Sequence, residues 1–523
     1  MRDMGDFQTP PALVTAVLAR LSGGGGRWAR VLEPTCGRGH FLAGLLAFDP
    51  PPGEIFGVEV QAGHLAAARD VAKGAPRSVR VTVTEGNLFD LDLKTALPWR
   101  GRGSLLVVGN PPWITNAALG ALGSDNRPAR VNHDGARGID AMTGSSNFDI
   151  AEAVWRKLLD ELADEQPTIA LLCKTSVARN VLEHAARTGL PVSAASLVRV
   201  DARVWFGAAV EACLLCLTLG GAGPSALERI AVFHDFDARE PQSAMGFVHG
   251  KLVADIDAYA PFAFADGVCP LVWRQGVKHD AAAVMELSAG VGGRPMNGAG
   301  VVVDVEPGHV FPLLKGGDLA RPGPIEPRRW VILTQRRVGD DTERVRDEAP
   351  KLWSYLSAHA GAFARRKSSV YRGQSAFAMF GVGPYCFTPY KVVVSGLHRT
   401  PIFHAVGPAA GPEPGDKARP VMCDDTCYVL PVPSPEQAAL LAELLNEPTA
   451  LGLLTVLALP GAKRPVTKAL LQRLDLRALF DRADNPRFRA RAAATVFRLA
   501  GREPDWPDRL ELLLEPDPSP TTR

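Results

Sequence analysis

Between residues 30 and 219, short apolar runs alternate with amphipathic stretches. The runs beginning at Val31 and spanning Glu54–Val60, Val79–Thr84, Leu105–Gly109, Thr168–Lys174, Ser196–Val200 and Val210–Leu219 are rich in Val, Ile and Leu and end in turn residues. That pattern predicts strands buried on both faces. Between them, helical spacing predicts helices over Ala12–Leu21, from near His40, over Ala62–Ala72, from Asn147-Phe148-Asp149-Ile150 to about Ala163, and over Val177–Thr188. Thr9 can cap the first helix, with Pro10 and Pro11 in its first turn. Ser22 and Gly23–Gly26 then break the chain. Strands alternating with helices give an α/β fold, a doubly wound and mostly parallel sheet.

The pattern changes after Gly220-Gly221-Ala222-Gly223-Pro224, which reads as a linker. Beyond it come short β-like stretches and many turns. Ala376–Tyr385 reads as a strand followed by a tight glycine turn, and Gly411–Lys417 as a Pro/Gly-rich loop. The tail is helical over Pro435–Asn446, Thr467–Asp481 and Pro486–Ala500. Two domains are expected, residues 1–224 and 225–523. There is no internal repeat.

Of the 523 residues, 46% are hydrophobic and 22% charged, as in ordinary globular proteins. The formal net charge is only +2, so any nucleic-acid surface must be a local patch. Such patches are offered by Arg328-Arg329-Trp330, Gln335-Arg336-Arg337, Arg365-Arg366-Lys367, Tyr371-Arg372 and Tyr390-Lys391, where cations sit beside aromatics. Lys463-Arg464-Pro465 can also reach a phosphate. Solvated faces are the plainer reading of each run. The N-terminus lacks an apolar signal core and no apolar stretch is long enough to span a bilayer, so a cytoplasmic location with no membrane partner is expected. Eight cysteines are scattered. Cys213 with Cys216 and Cys423 with Cys427 can be imagined as a four-thiolate zinc site. Cys213 and Cys216 fall on one strand with side chains on opposite faces, which favours reduced core cysteines and no metal.

The chemistry concentrates where strands end. After Leu105–Gly109 comes Asn110-Pro111-Pro112-Trp113. Two prolines stiffen the loop and remove two backbone donors. An Asn oxygen beside a fixed carbonyl gives two acceptors that can hold an amino group, and Trp113 offers a flat face for a ring. A Pro-rich turn after a core strand is the alternative. Upstream, Glu33-Pro34-Thr35-Cys36-Gly37-Arg38-Gly39-His40 reads as strand, Gly-rich turn and helix start. Gly37 and Gly39 allow close backbone approach to a ligand. The third glycine of a dinucleotide fingerprint is replaced by Leu42, and Glu33 would repel phosphates but suits a cation or an amino group. Glu59 ends the second strand twenty residues past Gly39, where an acid accepts from ribose hydroxyls in doubly wound folds. After the third strand, Asn87 can read an adenine edge, with Leu88 or Phe89 packing on it.

In this order the motifs resemble the class I S-adenosylmethionine-dependent methyltransferases. More narrowly they resemble DNA adenine-N6 methyltransferases of the gamma arrangement, with an N-terminal catalytic domain and a C-terminal target-recognition domain. The specific motifs run from Phe7 to Leu219; beyond that only the layout is similar. The resemblance implies a class I Rossmann-like domain followed by a mixed α+β target-recognition domain with C-terminal helices. It implies S-adenosylmethionine as cofactor, held by Thr9, Pro10, Glu33, Pro34, Gly37, Gly39, Glu59, Val60, Asn87, Leu88 and Asn110. The family usually carries Asp where this chain has Asn87, a departure an amide can serve. Asn110, Pro111, Pro112 and Trp113 match the catalytic tetrapeptide, with Trp in the less common last place. An aromatic before the last hairpin strand stacks on the flipped base, here Phe206 with Trp205 second; a core-facing aromatic pair is the alternative.

The activity implied is methyl transfer to the N6 amine of a flipped-out adenine in double-stranded DNA, in a restriction-modification or phage-defence system. No nuclease pattern is found and the motifs start near residue 1, so no N-terminal cleavage domain is expected and a separately encoded nuclease or defence partner is left open. The same acceptors suit an RNA base or a protein glutamine, and Ser more often opens the tetrapeptide for N4-cytosine. From a different class, a non-catalytic DNA-recognition subunit is opposed by intact Asn110, Gly37 and Gly39.

Overall fold

The computed structural model describes residues 8–23, 27–114, 149–221, 226–290, 294–413, 415–458 and 464–516. Phe7, the glycines at 24–26, Asn147, Phe148, most of the linker and Lys463 lie outside them. The chain divides into two compact units, Met1–Ala258 and Tyr259–Arg523.

The first unit is built on a ten-stranded sheet. Its strands are β1 (Arg30–Glu33), β2 (Glu54–Glu59), β3 (Arg80–Glu85), β4 (Leu105–Gly109), β5 (Thr168–Lys174), β6 (Val192–Asp201), β7 (Glu211–Leu219), β8 (Ile230–Phe233), β9 (Ser243–Val248) and β10 (Lys251–Val253). The order is β10-β9-β8-β6-β7-β5-β4-β1-β2-β3. Strands β1 to β5 are mutually parallel, and β7 runs antiparallel between β5 and β6. This is the class I methyltransferase sheet with three strands added at the β6 edge.

Every residue of β4 is buried, and its side chains alternate between two cores. Leu105 and Val107 pack with Trp155, Leu158 and Leu159 of α4 (Ile150–Leu162). Leu106 and Val108 pack with Leu13 of α1 (Pro11–Gly23), Leu42 of α2 (His40–Leu46) and Ala68 of α3 (Ala62–Lys73). Burial on both faces is why the strand reads as a continuous apolar run. Cys213 and Cys216 face the two different cores, as their spacing on β7 requires. All eight cysteines are thiols.

The boundary expected at residue 224 falls later. Strand β8 pairs parallel with β6, through Ser196↔Ala231 to Val198↔Phe233, and β9 and β10 follow by antiparallel pairing. The Gly-rich stretch at 220–224 is therefore a connection inside the first unit.

The second unit carries two small sheets and a helical tail. One is β13-β12-β15-β14-β18, from β12 (Glu286–Ala289), β13 (Pro295–Asn297), β14 (Val310–Leu314), β15 (Arg329–Ile332) and β18 (Met422–Cys423). The other is β11-β19-β16-β17, from β11 (Arg274–Gln275), β16 (Tyr390–Ser395), β17 (His404–Val406) and β19 (Cys427–Val432). Helices Pro435–Leu445 and Pro486–Ala500 lie where helical spacing puts them. The helix expected over Thr467–Asp481 is broken into Lys468–Leu471 and Leu476–Ala483. Asp475 caps the second piece, accepting from the amides of Arg477 and Ala478. The Gln472 amide crosses to the carbonyls of Cys269 and Leu271. Ala376–Tyr385 is not a strand but a tight series of turns with one isolated bridge, Lys278↔Phe380. Lys391, expected beside Tyr390 as a surface cation, is only 2% exposed within β16 and donates to the Thr388 carbonyl. Arg464 bonds the carboxylate and carbonyl of Asp425. No single helix among the described residues is long and apolar enough to cross a membrane.

Candidate active site

The carboxyl ends of β1, β2, β3 and β4 surround a cavity of about 330 Å³. In open parallel sheets this end collects ligands, because each strand there passes into a loop that can present polar groups. The cavity is lined by Thr9, Glu33, Pro34, Gly37, Glu59, Val60, Asn87, Leu88, Asn110 and Pro112 of the expected site. Pro10, Gly39, Pro111, Trp113 and Phe206 do not line it.

The Gly-rich turn is the tightest part. Gly37 and Gly39 have φ of 53° and 83°, in the left-handed region that disfavours side chains. A Cβ on Gly37 would lie 2.9 Å from the Gln8 amide, and one on Gly39 would lie 3.1 Å from the Ala68 backbone. Gly39 thus serves packing of the turn on α3. Glu59, 6% exposed, holds the turn in place: its carboxylate accepts from the Gly37 amide at 2.8 Å and from the Gln61 amide at 2.7 Å. Those bonds use one lone pair on each oxygen and leave acceptor capacity on both. Tethering of the turn by Glu59 is invisible in sequence, since the partners are joined only by strand pairing.

Glu33 is 2% exposed, and its Oε2 has no hydrogen-bond partner among the described residues; neither has Thr35 Oγ1. Burial pushes the Glu33 carboxyl well above the usual carboxylate range, and the nearby Glu59 charge pushes it further. A buried, under-satisfied acid at the wall of a cavity calls for a cationic donor. The ammonium of S-adenosylmethionine meets that demand, and its sulfonium adds a second positive charge, so the residues present fit this cofactor. Asn87 Oδ1 accepts from the Phe89 amide at 3.0 Å, capping a short 3-10 turn. This orients the side chain with its NH₂ as the group left to donate.

Thr9 does not cap α1. That helix begins at Pro11, and the Pro10 carbonyl takes the first amides, from Leu13 and Val14. The Thr9 carbonyl instead meets His40 Nδ1 at 2.7 Å, joining the N-terminal segment to the Gly-rich turn. The open stacking face expected of Trp113 is also corrected. Trp113 is 5% exposed, and its indole N–H points at the Leu172 carbonyl, 3.4 Å away. It meets Phe206 edge-to-face, ring centroids 5.0 Å apart at 71°. Phe206, at the end of the short helix Ala202–Phe206, is only half-buried. Trp113 is therefore a buttress, and Phe206 is the ring with an exposed part.

Sequence reasoning missed several wall residues: Gln8, Thr35, His64, Ile114, Ile150 and Val154. Ile150 and Val154 stand one helical turn apart on α4, a signal that only its placement makes readable. The Ile150 amide donates to the Ile114 carbonyl at 2.9 Å. Beside it, Asp149 pairs with Lys174 at 2.6 Å and caps α4 through the Ala151 amide. The first of these bonds ties α4 to the residue after the Asn110–Trp113 loop, and the Asp149–Lys174 pair ties it to the end of β5. Among the described residues no cluster of His, Cys, Asp and Glu could hold a metal ion.

Comparison with known proteins gives two informative similarities. The chain is 31% identical over 480 residues to the Type II methyltransferase M.NspV of Nostoc sp. (strain ATCC 29411 / PCC 7524), covering 91% of this chain and 97% of that protein. Among solved structures, the Type IIL restriction-modification enzyme MmeI in complex with DNA superposes with a TM-score of 0.50 at 11% identity, covering 96% of this chain and 76% of that one. No family model matches the chain.

Proposed function

The chain belongs to the type II methyltransferases, and from that premise we propose that it methylates the exocyclic N6 of an adenine flipped out of duplex DNA. The observation that carries the reading is the shared cavity: Asn110 and Pro112 of the tetrapeptide stand in one wall with Glu33, Glu59 and Asn87. Each motif comes from a different strand end, and the fold brings them to one place.

S-adenosylmethionine, the cofactor of this family, supplies a methyl group already activated on a sulfonium. The protein's task is orientation. Glu59 accepts from the ribose hydroxyls with its remaining lone pairs while keeping the Gly-rich turn closed. Glu33 and Thr35 would accept from the ammonium of the cofactor. The Asn87 amide, its oxygen already engaged, would offer its NH₂ to the cofactor's adenine, where the family's usual Asp would accept. Asn110 Oδ1 and the Pro111 carbonyl each accept one N–H of the target amine. Both bonds draw the amine out of the base plane and turn its lone pair toward the methyl. Transfer would break the S–CH₃ bond as the C–N bond forms, and the nitrogen, made acidic, would then release its proton to water, so no strong base is required of the chain. Orientation and fixed dipoles then carry the rate.

A base in a duplex reaches Asn110, at the edge of the cavity, only by leaving the stack. Phe206, propped by Trp113, supplies the stacking surface that offsets that loss. We assign sequence reading to the second unit. Expression of the full chain in a host that lacks DNA methylation, followed by modification-sensitive sequencing, tests the proposal. The expected result is N6-methyladenine at one sequence motif. Methylation of cytosine N4, or of RNA or protein with DNA unmodified, would overturn it.

A further inference from the structure

In the second unit, exposed cations gather on one loop cluster. Residues 334–342 run alongside residues 376–382. Thr334 Oγ1 donates to the Phe377 carbonyl at 2.9 Å, the Met379 amide to Gln335 Oε1 at 2.9 Å, and the Val338 amide to the Val382 carbonyl at 3.2 Å. Arg366 joins them: its guanidinium reaches the Ala378 carbonyl at 2.6 Å and lies 3.7 Å from the centre of the Tyr371 ring. Arg336, Arg337, Arg365, Lys367 and Arg372 are all exposed. None forms an ion pair among the described residues, whereas the neighbouring acids Asp340 and Glu343 are paired with Arg344 and Arg346. Five exposed cations without an ion pair, of which Arg337 feels the Asp340 carboxylate, give this cluster an anion-binding surface in a chain whose net charge is only +2.

The turn Tyr371–Gln374 stands out within it. Its root is held rigidly. Tyr371 lies between the Arg366 guanidinium and Phe380, whose ring is edge-on at 5.4 Å. Phe377 is buried with φ of 60°, a conformation bulky residues rarely adopt. It is kept there by edge contacts with Phe363 at 4.9 Å and Trp353 at 5.4 Å. Strain of this kind persists only where the surroundings over-determine it. The tip is the opposite: Arg372, Gly373 and Gln374 are exposed, and there is open space around Gly373. An exposed Arg and Gln on a turn whose root is held in place are side chains suited to bidentate readout, Arg for the O6 and N7 of guanine and Gln for the N6 and N7 of adenine. Flanking cations meet the phosphates and fix the register.

We propose that the turn Tyr371–Gln374 reads bases in the major groove of DNA, with Arg372 and Gln374 as specificity-determining residues and Arg336, Arg337, Arg365 and Lys367 as phosphate contacts. This rests on the proposed DNA-methylating function. The test compares full-length wild type with Arg372→Ala, Gln374→Ala and the double variant Arg365→Ala with Lys367→Ala, by genome-wide sequencing in a methylation-free host and by DNA binding across a salt series. Arg372→Ala is expected to relax one guanine position, and Gln374→Ala one adenine position, with discrimination there falling roughly 5- to 150-fold. The double variant keeps the motif but binds more weakly, and its log–log salt slope is shallower by about 2. Thermal unfolding of each full-length variant, compared with wild type, checks that the second unit is folded. Should Arg372→Ala misfold, Arg372→Lys keeps the charge but loses the fork, and is expected to relax the same position. Wild-type discrimination in both Arg372→Ala and Gln374→Ala overturns the inference while leaving the methylation reading intact. A wild type that leaves DNA unmodified overturns the proposed function and this inference with it.

Discussion

Glu59→Ala removes a carboxylate with two tasks, and their magnitudes can be separated. In the cofactor-free protein the Gly37 amide, half-buried, and the Gln61 amide, on an exposed residue, both lose their acceptor. Water replaces the bond at Gln61 almost fully but at Gly37 only in part, so the fold should lose about 1–2 kcal/mol. With cofactor present, the charged hydrogen bond to the ribose is also lost. That contribution is about 1.5–3 kcal/mol, or roughly 10- to 150-fold in Kd. Calorimetric titration with S-adenosylmethionine gives the second quantity, and denaturant unfolding of the cofactor-free protein gives the first. A folded variant with wild-type affinity would refute the ribose assignment. A loss of stability alone would reduce Glu59 to a tether for the Gly-rich turn.

Three further predictions concern other positions. Phe206→Ala should weaken capture of the flipped base by about 1–3 kcal/mol, an effect that disappears on DNA carrying an abasic analogue at the target; fluorescence of a base analogue reports it. Glu33 should make cofactor binding pH-dependent. Its folded carboxyl titrates above the ordinary value of about 4.3, so cofactor-free stability falls as pH rises through that window, while affinity for the cationic cofactor rises. Glu33→Gln should flatten both profiles, and a wild-type affinity independent of pH across the window would contradict the assignment. Lys391 titrates at about 8 because burial disfavours its charge. Its unfolded value is near 10.4, so stability should rise between those pH values by on the order of 3 kcal/mol; Lys391→Met should remove the rise in parallel melts.

Much of the candidate site was legible because a parallel strand buried on both faces is a plain apolar run, and a polar residue that lines the cavity follows at its carboxyl end. Leu105–Gly109 with Asn110, and Glu54–Glu59 with its terminal acid, are of this kind. What stayed hidden depends on partners distant in sequence. Trp113 reads as an open ring, yet the carbonyl of Leu172 and the edge of Phe206 enclose it. The linker reading failed because β8 has only four residues and finds its partner in β6, on the far side of β7. Lys391 reads as a surface cation because one charge in a β-branched run leaves open which face it takes. The turns at Ala376–Tyr385 carry an apolar string that mimics a strand, and only the aromatic contacts of Phe377 explain the tight conformation.

The central claim is that Asn110 orients an adenine N6 amine for methyl transfer. Its most direct test is single-turnover transfer from methyl-labelled S-adenosylmethionine to duplex DNA, with the product digested to nucleosides, for wild type and Asn110→Ala. The label should appear in N6-methyldeoxyadenosine. Asn110→Ala should be slower by on the order of 10²–10³ with cofactor and DNA affinity retained, the scale for losing one preorganised polar contact in a transition state. Label in another product, or an undiminished rate in Asn110→Ala, would contradict the account.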